Sequence, residues 1–148
     1  MLYNCFLKQG TVYVPTVVKM QTGVYSDVEP VAVISAADTQ GLRHALLDAI
    51  SRGNRVVPNP PKDAWPAPIL LKYSGAKTWS AFARGASPWS IIQDGDGSYH
   101  IAGYRTHPGG YWERDLEQKI DFQASVKVET VVDRMIAILQ QAAGNGSR

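Results

Sequence analysis

The apolar positions of the chain first alternate in short runs and later recur at helical spacing. Residues 2 to 8 ("LYNCFLK") and 11 to 20 ("TVYVPTVVKM") are rich in β-branched and aromatic side chains and are separated by Gln9 and Gly10. That pattern predicts a β-hairpin. Pro15 lies inside the second run and cannot donate to a ladder, so this strand is expected at an edge, at a bulge, or shorter than its apolar run. A third strand is expected at "EPVAVIS", residues 29 to 35, which completes a meander.

The period then changes. From about Asp38 to Arg52, the residues Leu42, Ala45, Leu46, Ala49 and Ile50 fall on one helical face, with Asp38 as N-cap and Gly53 with Asn54 as the stop. Gly41 within this stripe costs about 1 kcal/mol against alanine, which marks either close packing or a start one turn later. Residues 58 to 68 ("PNPPKDAWPAP") hold five of the nine prolines. They predict an extended crossing loop, in which Trp65 either pins the loop to the core or faces a partner.

After the loop, "PILLKY" reads as a strand, and a short helix follows that Thr78 caps and Gly85 closes, with Trp79 and Phe82 on one face. "WSIIQ", the "DGDG" turn at 94 to 97 and "SYHIAGYR" predict a second hairpin. A further strand is expected within Tyr111 to Phe122. The last helix is expected from about Val126 to Gln141, capped by Ser125, with Val128, Val131, Val132, Met135, Ile136 and Leu139 on its apolar face. The sum is one α+β domain, residues 1 to 148, with an antiparallel sheet of about six strands, two main helices packed on it, and a frayed tail at 143 to 148. Within it, Trp79, Phe82, Trp89 and Ile91 read as packing residues.

Composition narrows the function. A chain of 148 residues buries roughly 70% of its unfolded surface on folding and needs no staple. Cys5 is the only cysteine, so no intrachain disulfide forms. The N-terminal stretch lacks a basic leader with an apolar run, and no segment approaches the length of a membrane span, so a soluble cytoplasmic protein is expected. Asn145 to Ser147 matches a glycosylation acceptor, but without a secretory signal it reads as tail.

The net charge of +2 is too even to imply a polyanion partner by itself, but its distribution is uneven. Arg43 to Arg84 carries seven bases against Asp48 and Asp63, whereas Asp94 to Asp121 carries six carboxylates against three bases.

The catalytic look-alikes each lack their partners. Ser74 and Lys77 match S-x-x-K without the elements that accompany it, and Tyr73 with Lys77 has the spacing of a dehydrogenase pair without a dinucleotide fold before it. Asp94 and Asp96 begin like a calcium loop, but Tyr99 and Arg105 stand where glycine and glutamate are needed. His44, His100 and His107 are not spaced as a metal set. The expectation is therefore no enzyme, no metal and no cofactor.

Two surface readings remain. Glu113, Asp115 and Glu117 alternate, so on a strand they share one face, and with Asp121 and the neighbouring Tyr111 they form an acidic surface suited to a cationic protein. The alternative is a small nucleic-acid-binding or regulatory module, in which the basic segment 43 to 84 interleaves Arg52, Arg55, Lys62, Lys72, Lys77 and Arg84 with Trp65, Tyr73 and Trp79.

At "LLKYSGAKTWSAFARGASPWSI" and at "VVDRMIAILQ" the chain resembles a family of small proteobacterial proteins that includes immunity proteins of contact-dependent growth-inhibition toxin systems. The likeness extends over most of the chain, including "MLYNCFLKQGTVYVPT" and "DVEPVAV". The matching segments are structural and supply no site residues. The resemblance implies a cytoplasmic protein that binds a cognate toxin domain, often a nuclease, and blocks it. The segment 113 to 121 is then the expected contact face, although inhibitors of cationic nucleases are commonly acidic and this chain is slightly basic.

Overall fold

A computed structural model of the chain describes residues 1–146. The expected first hairpin is present as β1 (Leu2–Lys8) and β2 (Thr11–Met20). Its two-residue turn places both Gln9 (φ 50°) and Gly10 (φ 76°) in the left-handed region, as the twist of a tight hairpin requires. β3 (Tyr25–Ser35) begins four residues before the expected 29 and completes the meander. Pro15 sits at a shift of register between β2 and β3, so the bulge reading holds on a strand that is interior.

Helix α1 (Thr39–Arg52) starts where Asp38 accepts from the Gly41 amide at 2.9 Å, and Gly53, at φ 66°, ends it. Gly41 is there because of close packing: a Cβ at that position would lie 2.9 Å from Cγ2 of Ile34. A two-residue strand β4 (Val56–Val57) then pairs in parallel with the far end of β2.

The stretch expected as a strand at "PILLKY" is instead a helix, α2 (Ile69–Ser74). Its boundaries are helical: the Leu71 amide bonds to the Pro68 carbonyl, and Gly75, at φ 76°, donates to Leu71. A six-residue apolar run carries no period of its own, and here only Leu70 is fully buried. Thr78 caps α3 (Trp79–Ala83) by accepting from Ala81 at 3.1 Å.

β5 (Ala86–Gln93) and β6 (Tyr99–Thr106) form the second hairpin, and β7 (Trp112–Asp121) is an edge strand. The last helix, α4 (Val128–Gly146), begins two residues later than expected. Ser125 lies in the preceding turn, and the Lys127 carbonyl accepts the first helical bonds. The helix continues through the stretch expected as tail; Ser147 and Arg148 lie outside the described residues.

The sheet runs β3-β2-β1-β5-β6-β7, antiparallel throughout, with β4 added beside β2. Alternation along β1 sends Tyr3, Cys5 and Leu7 to one face, where they join Leu42 and Leu46 of α1 and Val131, Met135 and Leu139 of α4. Phe6 points to the other face and packs with Tyr13, Leu70 and Phe82. The two long helices therefore cover one face and the short helices α2 and α3 cover part of the other. Burial in the helix-covered core pushes the Cys5 thiol up to about 12, so it is an inert packing group.

β1 and β2 pair only at their hairpin end, Phe6–Lys8 against Thr11–Tyr13. Beyond it they part, and Asn54 fills the gap: its amide accepts from the Leu2 N–H at 2.7 Å and donates to the carbonyls of Leu2 (2.9 Å) and Val17 (3.0 Å).

Candidate functional site

Strand β7 carries the expected acidic residues, but its ladder is interrupted. Glu113 faces Arg105 and Asp115 faces Gly103; pairing resumes only at Ile120 with Ile101, so residues 116 to 119 bulge opposite Ala102. Glu113 and Asp115 lie on the helix-covered side of the sheet. Asp121, paired with His100, lies on the opposite side and contacts Lys119 at 3.4 Å. The four carboxylates thus do not form one strand face.

What gathers three of them is Arg105. Its Nε donates to Glu113 at 2.9 Å, and Asp115 and Glu117 add their fields, so the guanidinium is held more firmly protonated. Asp115 is turned to its own loop: it accepts from the Gln118 amide at 2.8 Å and from the Glu117 N–H at 3.1 Å, and these bonds lower its carboxyl below the ordinary value. Glu117 in the bulge and Tyr111 at the hairpin tip, stacked on His107 at 4.4 Å, remain presented outward. Leu116 beside them is 77% exposed.

The basic segment 43 to 84 does not make one surface. α1 and α2 lie on opposite faces of the sheet. Arg43 is bound to Asp133 of α4 at 2.8 Å and Lys72 to Glu29 at 2.6 Å. The catalytic look-alikes resolve into local structure: Ser74 accepts from the Ala76 amide, and Asp94 to Gly97 close the expected turn. His44 pairs with Asp48, and His100 is buried against Asp94 at 3.0 Å.

A cleft that sequence reasoning missed opens on the face away from α1 and α4. It measures about 440 Å3 and lies between Tyr25–Glu29 of β3, the loop Trp65–Pro68, the start of α2, and Trp79. Trp65, 53% exposed, is presented and does not pin the loop. Trp79 was expected in the core with Phe82, but only Phe82 is buried; Trp79 is 37% exposed and forms a wall of the cleft. It rests edge-on against Trp112, ring centroids 5.6 Å apart. The signals in the sequence were the exposed option for Trp65 and the proline-rich strap; nothing in the spacing linked either to β3.

Asp27 lies in this cleft. One carboxylate oxygen accepts from the Asn4 amide at 2.9 Å, and Asn4 in turn accepts from Ser90, whose hydroxyl meets that of Tyr104. Burial pushes the Asp27 carboxyl up to about 6, against the opposing effect of the Asn4 hydrogen bond.

No family model matches the chain. No curated protein matches it by sequence. Among solved structures, it is similar to a protein of unknown function, NMB0488 from Neisseria meningitidis, with a TM-score of 0.65 and 13% identity over 95% of this chain and 93% of that one. It is also similar to a chain of the CdiA-CT/CdiI toxin and immunity complex from Yersinia pseudotuberculosis, with a TM-score of 0.61 and 15% identity over 96% of this chain and 95% of that one. At these identities the likeness is one of fold. None of the described helices is long and apolar enough to cross a membrane.

Proposed function

We propose that the chain is a non-catalytic immunity protein that binds and neutralises a cognate contact-dependent growth-inhibition toxin domain, a nuclease, in the cytoplasm. The observation that carries the proposal is the fold shared end to end with a chain of a toxin and immunity complex. The surface is compatible with it: the bulged edge of β7 presents Tyr111, Leu116 and Glu117 beside Glu113, and Asp121 flanks it on the opposite side of the sheet. Apolar anchors ringed by charge suit a protein contact. The split of the basic segment over two faces disfavours the nucleic-acid module.

The test asks whether the neighbouring upstream reading frame encodes a large secreted protein with a toxin domain at its C-terminal end, and co-expresses that domain with this chain. The proposal expects a stable co-purifying complex, loss of nuclease activity on addition of the protein, and rescue of growth. A toxin domain that neither binds nor loses activity would refute it.

A further inference from the structure

The cleft under the proline-rich strap combines aromatic walls with a carboxylate that has no positive partner. Trp65, Trp79 and Tyr25 line it together with Ile69 and Leu70. Asp27 takes part in no ion pair among the described residues; its interaction is the hydrogen bond from Asn4, which occupies one oxygen. The nearby cations are engaged elsewhere, Lys72 with Glu29 at 2.6 Å and Lys19 over the Tyr25 ring at 5.7 Å.

A neutral apolar ligand entering such a cleft would strip water from the second Asp27 oxygen and return nothing, which is costly for a carboxylate. A cation returns the lost interaction. Of the two protein cations, the guanidinium fits better: it is planar, weakly hydrated, stacks on indole faces and donates in a fork, whereas an ammonium is a compact and strongly hydrated charge.

We propose that this cleft seats an arginine side chain presented by a protein partner, packed against the indoles of Trp65 and Trp79 and bonded to the open carboxylate oxygen of Asp27. The source of that side chain rests on the protein-binding reading above. The chemistry of the cleft does not, because it is testable without a toxin.

The experiment titrates the full chain with N-acetyl-arginine amide and with its neutral isostere N-acetyl-citrulline amide, following tryptophan fluorescence and the indole N–H resonances. The arginine probe is expected to bind in the millimolar range and the citrulline probe roughly tenfold more weakly. Asp27→Asn, which keeps the bond to Asn4, should abolish the preference. Trp65→Ala, in an exposed loop, should weaken both probes without unfolding the protein. Equal affinity for the two probes, a preference that survives Asp27→Asn, or no saturable binding would overturn the proposal. Should the cleft fail while the toxin domain still co-purifies, the immunity reading stands; should arginine bind while no toxin does, that reading falls and the cleft remains.

Discussion

Asn4 and Asp27 belong to strands separated by β2 in the sheet order, yet their side chains meet at 2.9 Å. They meet where β1 and β2 have parted, so a polar contact replaces a backbone ladder. Ser90 and Tyr104 continue the chain of contacts, 2.7 Å from Ser90 to Asn4 and 2.9 Å between the two hydroxyls. Four side chains on β3, β1, β5 and β6 thereby fix the position of the cleft's carboxylate.

Burial raises the folded-state pKa of Asp27 to about 6, above the ordinary 3.8, so its penalty is missing below the unfolded value and grows as pH rises through about 6. Discounted for water at its open oxygen, the effect is about 1–2 kcal/mol. Denaturant melts should show wild type gaining that much on Asp27→Asn between pH 8 and pH 4; parallel profiles would contradict it.

Asn54 joins two separated strands through three hydrogen bonds. Asn54→Ala leaves the Leu2 amide and the Leu2 and Val17 carbonyls without this partner, and should cost about 2–3 kcal/mol in equilibrium unfolding. A loss below about 0.5 kcal/mol, the usual range for surface changes, would mean that water replaces the side chain fully.

Phe82 and Trp79 should separate under truncation. Phe82 is fully buried, so Phe82→Ala is expected to cost about 3–5 kcal/mol. Trp79 keeps an open face, so Trp79→Ala should cost only about 1–2 kcal/mol while weakening binding in the cleft. Equal destabilisation by calorimetry would return Trp79 to the core.

Gly41→Ala tests the packing of α1 on β3. Helix propensity alone predicts a gain of about 1 kcal/mol. The new methyl would meet Asp38 and Ile34, so a net loss of about 1 kcal/mol is expected in chemical denaturation. A stabilised variant would show that Ile34 gives way.

At the β7 edge, the double change Glu113→Lys and Glu117→Lys places two like charges beside Arg105. Binding to a basic toxin domain should slow about 10- to 100-fold in association rate and lose its salt dependence, measured by surface plasmon resonance at two ionic strengths. An unchanged association rate would move the contact away from this edge.

The elements most legible in the sequence are those with local signals. Gln9–Gly10 closes the first hairpin, Asp38 and Gly53 bound α1, and the "DGDG" turn joins β5 to β6, each by chemistry within a few residues. "PILLKY" was not legible because a short apolar run suits a buried strand or a helix equally, and only packing of Leu70 against Phe6 and Phe82 decides. The break in β7 escaped for a related reason: the apolar residues of "WERDLEQKID", Trp112, Leu116 and Ile120, stand four apart among charged and polar ones, so no interrupted alternation marks the place where four residues oppose one. The cleft was least legible. Its walls come from residues 25–29, 65–70 and 79, which nothing in their spacing connects.

The strap from Pro58 to Pro68 takes no part in the sheet ladder, and its end, Trp65 to Pro68, forms one wall of the cleft. Its prolines fix much of its shape before any partner arrives, so little chain entropy remains to be lost on binding. The buried core rests on other residues. For the arginine seat proposed above, substitutions at Trp65, Pro66 or Ala67 are then expected to change which partner is accepted without loosening the scaffold, so that recognition and folding diverge along separate stretches of the same chain.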